Sequence, residues 1–251
     1  MKIRIFAHSR SGHHALIYWL VNQLEGSVIH HNNCMDGWEK GILNPIKGKS
    51  LQYGKKPYKH KIYSFEYLNL NEYVKYDFAS WNEEYIDILF LRDYYNWLAS
   101  SYKLGDKRFD REWKNVRGET EIPIIELWRQ YAQEFINRQK LKENTIFVKY
   151  NDWFKSKNYR KEICDKLNIK FTDVGLNKVS NFGGGSSYSK YSITSNAQNK
   201  LKTTQRWKNH KNDTNYIRHI ENNMDIVKLN NEIFNMELIS LKPLEIKKNV
   251  V

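Results

Sequence analysis

Apolar residues along this chain gather in short runs that alternate with stretches of helical spacing. Residues 3–7, with Ile3, Ile5 and Phe6, form a short apolar run and predict a strand. A polar turn with one glycine follows. Leu16, Ile17, Trp19, Leu20 and Leu24 then recur on one side of a predicted amphipathic helix. Residues 27–30 and 61–65 predict further strands, the second ending in Glu66. Residues 85–91 are the clearest buried strand, followed by Arg92 and a helix to about Lys103. Residues 122–140 carry Ile125, Trp128, Tyr131, Ala132, Phe135 and Ile136 at helical spacing, with Pro123 near the first turn. Residues 145–150 predict a strand, 158–167 a helix, and 216–241 a helical tail. Three stretches lack periodicity: 32–58 reads as a long surface loop, 107–121 as charged and irregular, and 182–189 as a Gly-Ser loop.

Strands alternating with helices imply a parallel sheet with right-handed crossovers. The expected fold class is α/β. It is a single three-layer domain over residues 1–251, with a central parallel sheet, a P-loop-like strand-turn-helix, and a tail at about 214–241 packed on it. Such sheets bind ligands at the carboxyl ends of their strands. Arg10, Glu66, Arg92 and Tyr150 all fall at or just past such ends.

Composition narrows the partners. The 251 residues carry a formal net charge of +13, which favours anionic ligands. Cys34 and Cys164 form no disulfide framework and no metal-ligand spacing, which fits a reducing compartment. The first strand begins at once and is broken by Lys2 and Arg4, so no secretory leader is read; nor does any apolar run reach the roughly 20 residues of a membrane span. The expectation is a cytoplasmic protein without a membrane partner.

The turn after the first strand, Ser9-Arg10-Ser11-Gly12-His13-His14, has the build of a phosphate cradle. Unpaired N–H groups at a helix start point at the anion, and Arg10 and Ser11 add side-chain donors. It is not a Walker A loop, because His13 and His14 stand where the lysine and the magnesium-binding hydroxyl belong.

Two motifs in order resemble the sulfotransferases that use 3′-phosphoadenosine-5′-phosphosulfate (PAPS). Arg10-Ser11-Gly12-His13-His14 is similar to their 5′-phosphosulfate loop, with His13-His14 in place of two threonines. The strand ending in Arg92, followed by Ser100 on the next helix, resembles their 3′-phosphate motif; arginine offers a charge-assisted fork and serine a hydroxyl. Weaker matches follow. Val148-Lys149-Tyr150-Asn151-Asp152 and Val179-Ser180-Asn181-Phe182 resemble segments lining the adenine pocket. Trp207-Lys208-Asn209-His210 resembles the end of the carboxyl-terminal phosphate loop, whose Arg-Lys-Gly start reads Lys200-Leu201-Lys202 here. The resemblance thus implies PAPS as donor and 3′-phosphoadenosine-5′-phosphate (PAP) as product, with no metal required. The residues it implies for binding are Arg10, Ser11, Gly12, His13, His14, Ala15, Arg92, Ser100, Tyr150, Ser180, Phe182, Lys200, Lys202 and Arg206.

It also implies in-line transfer of a sulfuryl group to a hydroxyl or amine acceptor. Arg10 would stand near the bridging oxygen, and a base would stand at a strand end between the two phosphate motifs. Glu66 has that placement, but its reference pKa of about 4.3 would have to be raised by burial. His14, on the donor loop itself, and His30 and His31 are rivals with a better intrinsic pKa. The acceptor is expected to be a small molecule or glycan, anionic or polyhydroxyl. Two other readings stand beside this one: a P-loop nucleotide-dependent kinase, and a non-enzymatic nucleic-acid-binding protein suggested by the charge. No recognised nucleic-acid module supports the latter.

Overall fold

The computed structural model describes residues 1–32, 34–36, 44–45, 50–66, 68–75, 84–103, 112–114, 120–177 and 201–236. A six-stranded sheet organises them. Its strands are β1 (Lys2–Ala7), β2 (Val28–His31), β5 (Ser50–Tyr53), β6 (His60–Glu66), β7 (Ile86–Leu91) and β10 (Ile146–Lys149), in the order β10-β7-β1-β6-β2-β5. Five run parallel, while β5 pairs antiparallel with β2 at the edge, so the expected parallel sheet is mixed. Two short pairs stand apart, β3 (Cys34–Asp36) with β4 (Asn44–Pro45), and β8 (Glu112–Lys114) with β9 (Thr120–Pro123). Residues 32–58 are therefore not one loop, and 107–121 are not wholly irregular.

Helix α1 (His13–Gln23) follows β1, α2 (Leu70–Lys75) follows β6, and α3 (Tyr94–Tyr102) follows β7. Helix α4 (Ile124–Asn137) begins directly after Pro123, which takes the cap position rather than a place in the first turn. Tyr150, expected at the end of a strand, instead opens α5 (Tyr150–Lys155), and α6 (Lys157–Lys166) comes next. A 3-10 turn (Arg206–His210) precedes α7 (Thr214–Glu221) and α8 (Met224–Phe234). The helical tail is thus two helices; residues 237–241 lie outside the described residues.

Alternation along the strands sends side chains to two cores. Ile3, Ile5 and Ala7 join Ile88, Phe90 and Val148 beneath Leu16 and Leu20 of α1. Phe6, Phe65, Leu89 and Leu91 meet Trp97 of α3, Trp128 of α4, and Tyr216, Ile226 and Val227 from α7 and α8. The two clusters cover both faces of the sheet, which is why β1 and β7 are buried along almost their whole length. One charged pair interrupts the second core. Arg4 and Asp87 are opposite one another in register, wholly buried, and joined by two hydrogen bonds of 2.6 and 2.7 Å. Tyr73 donates a third bond to the same carboxylate at 2.8 Å.

This topology positions the site. β1 is central, with β6 on one side and β7 on the other, so the carboxyl ends of three adjacent parallel strands carry the turn at 8–12, Glu66 and Arg92 together.

Candidate functional site

The turn from β1 to α1 is shaped by two left-handed residues, Arg10 (φ 64) and Gly12 (φ 90). Its carbonyls are tied down from outside. Ser11 N–H donates to His8 O at 3.2 Å, Trp97 Nε1 to Ser9 O at 3.1 Å, and Arg92 Nη1 to Arg10 O at 3.0 Å. Among the described residues the N–H groups of Gly12 and His13 meet no backbone acceptor. Those of Ser11 and Ala15 bond within the turn, Ala15, expected among the binding residues, donating to Gly12 O at 2.9 Å.

Gly12 is required twice over. It has a left-handed φ, and a methyl placed on it would fall 2.5 Å from Cε2 of Tyr150. Gly12→Ala is expected to cost at least about 1–2 kcal/mol from backbone strain alone, with the clash added, and to weaken anion binding at the loop. Thermal melting and a binding titration check this; an unchanged melting temperature and unchanged affinity would contradict it.

Arg92, just past the end of β7, is buried, and both terminal nitrogens of its guanidinium are engaged. Nη1 donates to Ser100 Oγ at 2.9 Å as well as to Arg10 O, and Nη2 donates to Thr203 O. Trp128 Nε1 holds the Arg92 carbonyl at 3.1 Å. Arg206, also buried, reaches the same hydroxyl, its Nη1 lying 3.0 Å from Ser100 Oγ. Two guanidinium groups from distant parts of the chain thus share one serine. Asn96 locks the second of them in place, its Oδ1 accepting from the Arg206 N–H at 2.7 Å and the Trp207 N–H at 3.3 Å. Nearby Asp93 caps α3 through Asn96 N–H at 2.9 Å; burial pushes its carboxyl up, against the opposing charge of Arg92. Arg92 Nε and Thr203 Oγ1 are buried with no hydrogen-bond partner among the described residues.

The structure brings Arg92, Ser100 and Arg206, which the sequence singled out, together with Asn96 and Thr203, which it did not. Lys202 is exposed and has a left-handed φ of 41. It stands where the resembling loop has glycine, and it adopts the backbone region that glycine favours. Tyr150 differs from expectation. Its ring is only 3% exposed, packed on Gly12, 5.0 Å from the Arg92 guanidinium and stacked on Phe154, so it has no open face for an adenine. Ser180, Phe182 and Lys200 lie outside the described residues.

Glu66, His13 and His14 form the other half of the site. β6 pairs Glu66 with Ala7, so its carboxylate meets the start of α1. His13 Nε2 lies 3.1 Å and His14 Nε2 3.8 Å from Glu66 Oε1. Ser11 Oγ is 3.4 Å from His13 Nδ1, and His14 Nε2 is 2.8 Å from Asn32 Oδ1. Asn32 also accepts from Ser64 Oγ at 3.2 Å, and Ser64 contacts His30 Nε2 at 2.9 Å. The carboxyl is shifted opposite to expectation. Burial pushes Glu66 up, but the hydrogen bond from His13 and the charges of His13, His14 and Arg10 prevail and hold it below its usual value. Burial first, then the charge of His13, push His14 down to about 4, so it is neutral at pH 7. His30 is driven down chiefly by burial; it contacts Ser64, and its ring lies edge-on to that of His14 with centroids 6.2 Å apart, while His31 stacks on Tyr63 with ring centroids 4.9 Å apart.

No protein-family model and no curated protein sequence matches this chain. Among solved structures, a sulfotransferase domain from the curacin biosynthetic pathway is similar over 94% of this chain and 98% of its own, with 16% identity and a TM-score of 0.50. The mouse sulfotransferase SULT7A1 complexed with PAP aligns over 68% of this chain and 59% of its own, with 15% identity and a TM-score of 0.38. Among the described residues no helix is long and apolar enough to cross a membrane. With a mixed six-stranded sheet, a turn at the carboxyl end of its central strand and near end-to-end similarity to that domain, the chain has the sulfotransferase fold.

Proposed function

We propose that this protein is a sulfotransferase that moves a sulfuryl group from PAPS to a hydroxyl or amine acceptor. One observation carries the reading: Arg92 and Arg206, both buried, converge on Ser100 beside the β1–α1 turn. Gathering two guanidiniums out of water is costly unless an anion joins them. The unpartnered Arg92 Nε and Thr203 Oγ1 are further donors in the same neighbourhood. A phosphate monoester fits that set, and a second anionic group fits the N–H groups of Gly12 and His13. An adenosine phosphorylated at both the 3′ and the 5′ oxygen of its ribose joins the two.

The donor supplies the activated sulfuryl group; the chain supplies charge, orientation and a proton acceptor. Arg92, Ser100 and Arg206 hold the 3′-phosphate. Gly12, His13 and Arg10 face the 5′ end, where Arg10 balances charge growing on the leaving oxygen. Glu66, kept anionic by His13, takes the proton of the attacking hydroxyl or amine. Its depressed pKa makes it a weaker base in the free protein, and the hydrogen bond from His13 that depresses it also orients it. The net charge of +13 favours an anionic or polyhydroxyl acceptor such as a saccharide. A kinase reading has less support, because His13 and His14 replace the lysine and hydroxyl that a magnesium-nucleotide loop uses.

Transfer of labelled sulfuryl from PAPS, screened over hydroxyl and amine acceptors, tests the activity. Glu66→Gln is expected to leave PAP affinity within about twofold and to cut turnover by about 10²–10⁴. Wild-type turnover in that variant would place the base elsewhere.

A further inference from the structure

The cluster at the start of α1 has a chemistry that sulfuryl transfer does not require. Two imidazoles and a carboxylate, from His13, His14 and Glu66, place one ligand atom each within 4.8 Å of the others. Zinc binds nitrogen and carboxylate oxygen at about 2.0–2.2 Å, so neighbouring ligands of a tetrahedral ion stand about 3.3 Å apart. The spacings from Glu66 Oε1 to His13 Nε2 and His14 Nε2, 3.1 and 3.8 Å, lie on either side of that value. Both nitrogens lie within 4 Å of the same carboxylate oxygen.

Their backbones are well held. His13 and His14 are consecutive residues in the first turn of α1, with ring centroids 4.1 Å apart, and Glu66 ends the strand paired with β1. The surroundings supply what a metal site needs beyond its ligands. Ser11 Oγ, 3.4 Å from His13 Nδ1, can accept from the ring nitrogen that a metal would leave protonated. Asn32 Oδ1, 2.8 Å from His14 Nε2, is an oxygen at the edge of the same cluster, placed to ligate or to hold a bound water. The carboxylate is the group's only anion, while Arg10 and the helix start oppose a cation. These limit affinity without removing the ligand set. Two nitrogen ligands select zinc, copper, nickel or cobalt over magnesium or calcium, which take oxygen.

We propose that His13, His14 and Glu66 bind a divalent late transition metal of the zinc class. The site does not depend on the sulfotransferase reading. If that reading holds, the metal and the acceptor's proton compete for the same Glu66 lone pairs.

Metal-stripped full-length protein is titrated with zinc against a chromophoric chelator, and with cobalt followed by its visible spectrum. One equivalent of each is expected to bind, cobalt with the intense bands of a four-coordinate nitrogen-oxygen site, and magnesium not to compete. Glu66→Gln, nearly isosteric, and His14→Ala, at a partly exposed position, are each expected to weaken zinc by more than about tenfold, with folding checked by circular dichroism. Failure to take up one equivalent, or uptake unchanged in both variants, would overturn the site. Failure of the donor to bind would count against the sulfotransferase reading and leave this result untouched.

Discussion

Arg92→Ala is expected to lower affinity for PAP by about a hundredfold or more. A hydrogen bond to a charged group contributes about 1.5–3 kcal/mol, and about 1.4 kcal/mol is a decade of affinity. Losing a fork of two such bonds therefore exceeds two decades. The structure adds a second loss. Arg92 also donates to the Arg10 carbonyl and to Thr203 O, so it joins the β1–α1 turn to the segment that carries Arg206. Truncation uncouples the two ends of the site. Arg92→Lys keeps the charge and loses the fork, and is expected to fall between wild type and alanine. Calorimetric titration of PAP reads all three proteins; alanine within threefold of wild type would remove Arg92 from the site.

Asp87→Ala carries the largest expected loss of stability. Its carboxylate takes two bonds from Arg4 and one from Tyr73, and neither Arg4 nor Asp87 is exposed. Removing one partner strands a buried charge and costs about 3–5 kcal/mol. For a domain of this size each kcal/mol moves the melting temperature by about 2–4 °C, so a fall of roughly ten degrees is expected. Replacing both partners, as Arg4→Met with Asp87→Leu, is expected to recover most of it, since the apolar pair leaves no charge behind. A melting temperature within about a degree of wild type for Asp87→Ala would contradict the account.

Much of this architecture was legible in the sequence because its signals were local. The apolar runs that became β1 and β7 are buried on both faces and lead directly into the turn at 8–12 and Arg92, while β10, at the sheet edge, alternates buried and half-buried positions. Arg92 and Ser100 were legible as a strand end followed by a helix. The short strands within 32–58 were not, since two to four residues at the edge of a sheet carry no alternation to detect. Tyr150 was placed at a strand end by its apolar neighbours, yet the helix it opens turns its ring under Gly12. Asn96 and Thr203 left no signal at all, because their roles arise only when the 3-10 turn at 206–210 docks on α3. The charge state of Glu66 was equally hidden. Burial alone would raise its pKa, and only its position against His13, His14 and Arg10 reverses the sign.

The central claim is that two buried arginines read a 3′-phosphate while the turn at Gly12 reads the 5′ end. The most direct measurement is the ratio of affinities for PAP and adenosine 5′-monophosphate, taken without magnesium, in the wild type and in Arg92→Ala. The account predicts a wild-type preference for the bisphosphate of about a hundredfold or more, in line with the charged fork, collapsing toward unity in the variant. Equal affinities in the wild type, or a preference that survives loss of Arg92, would contradict it.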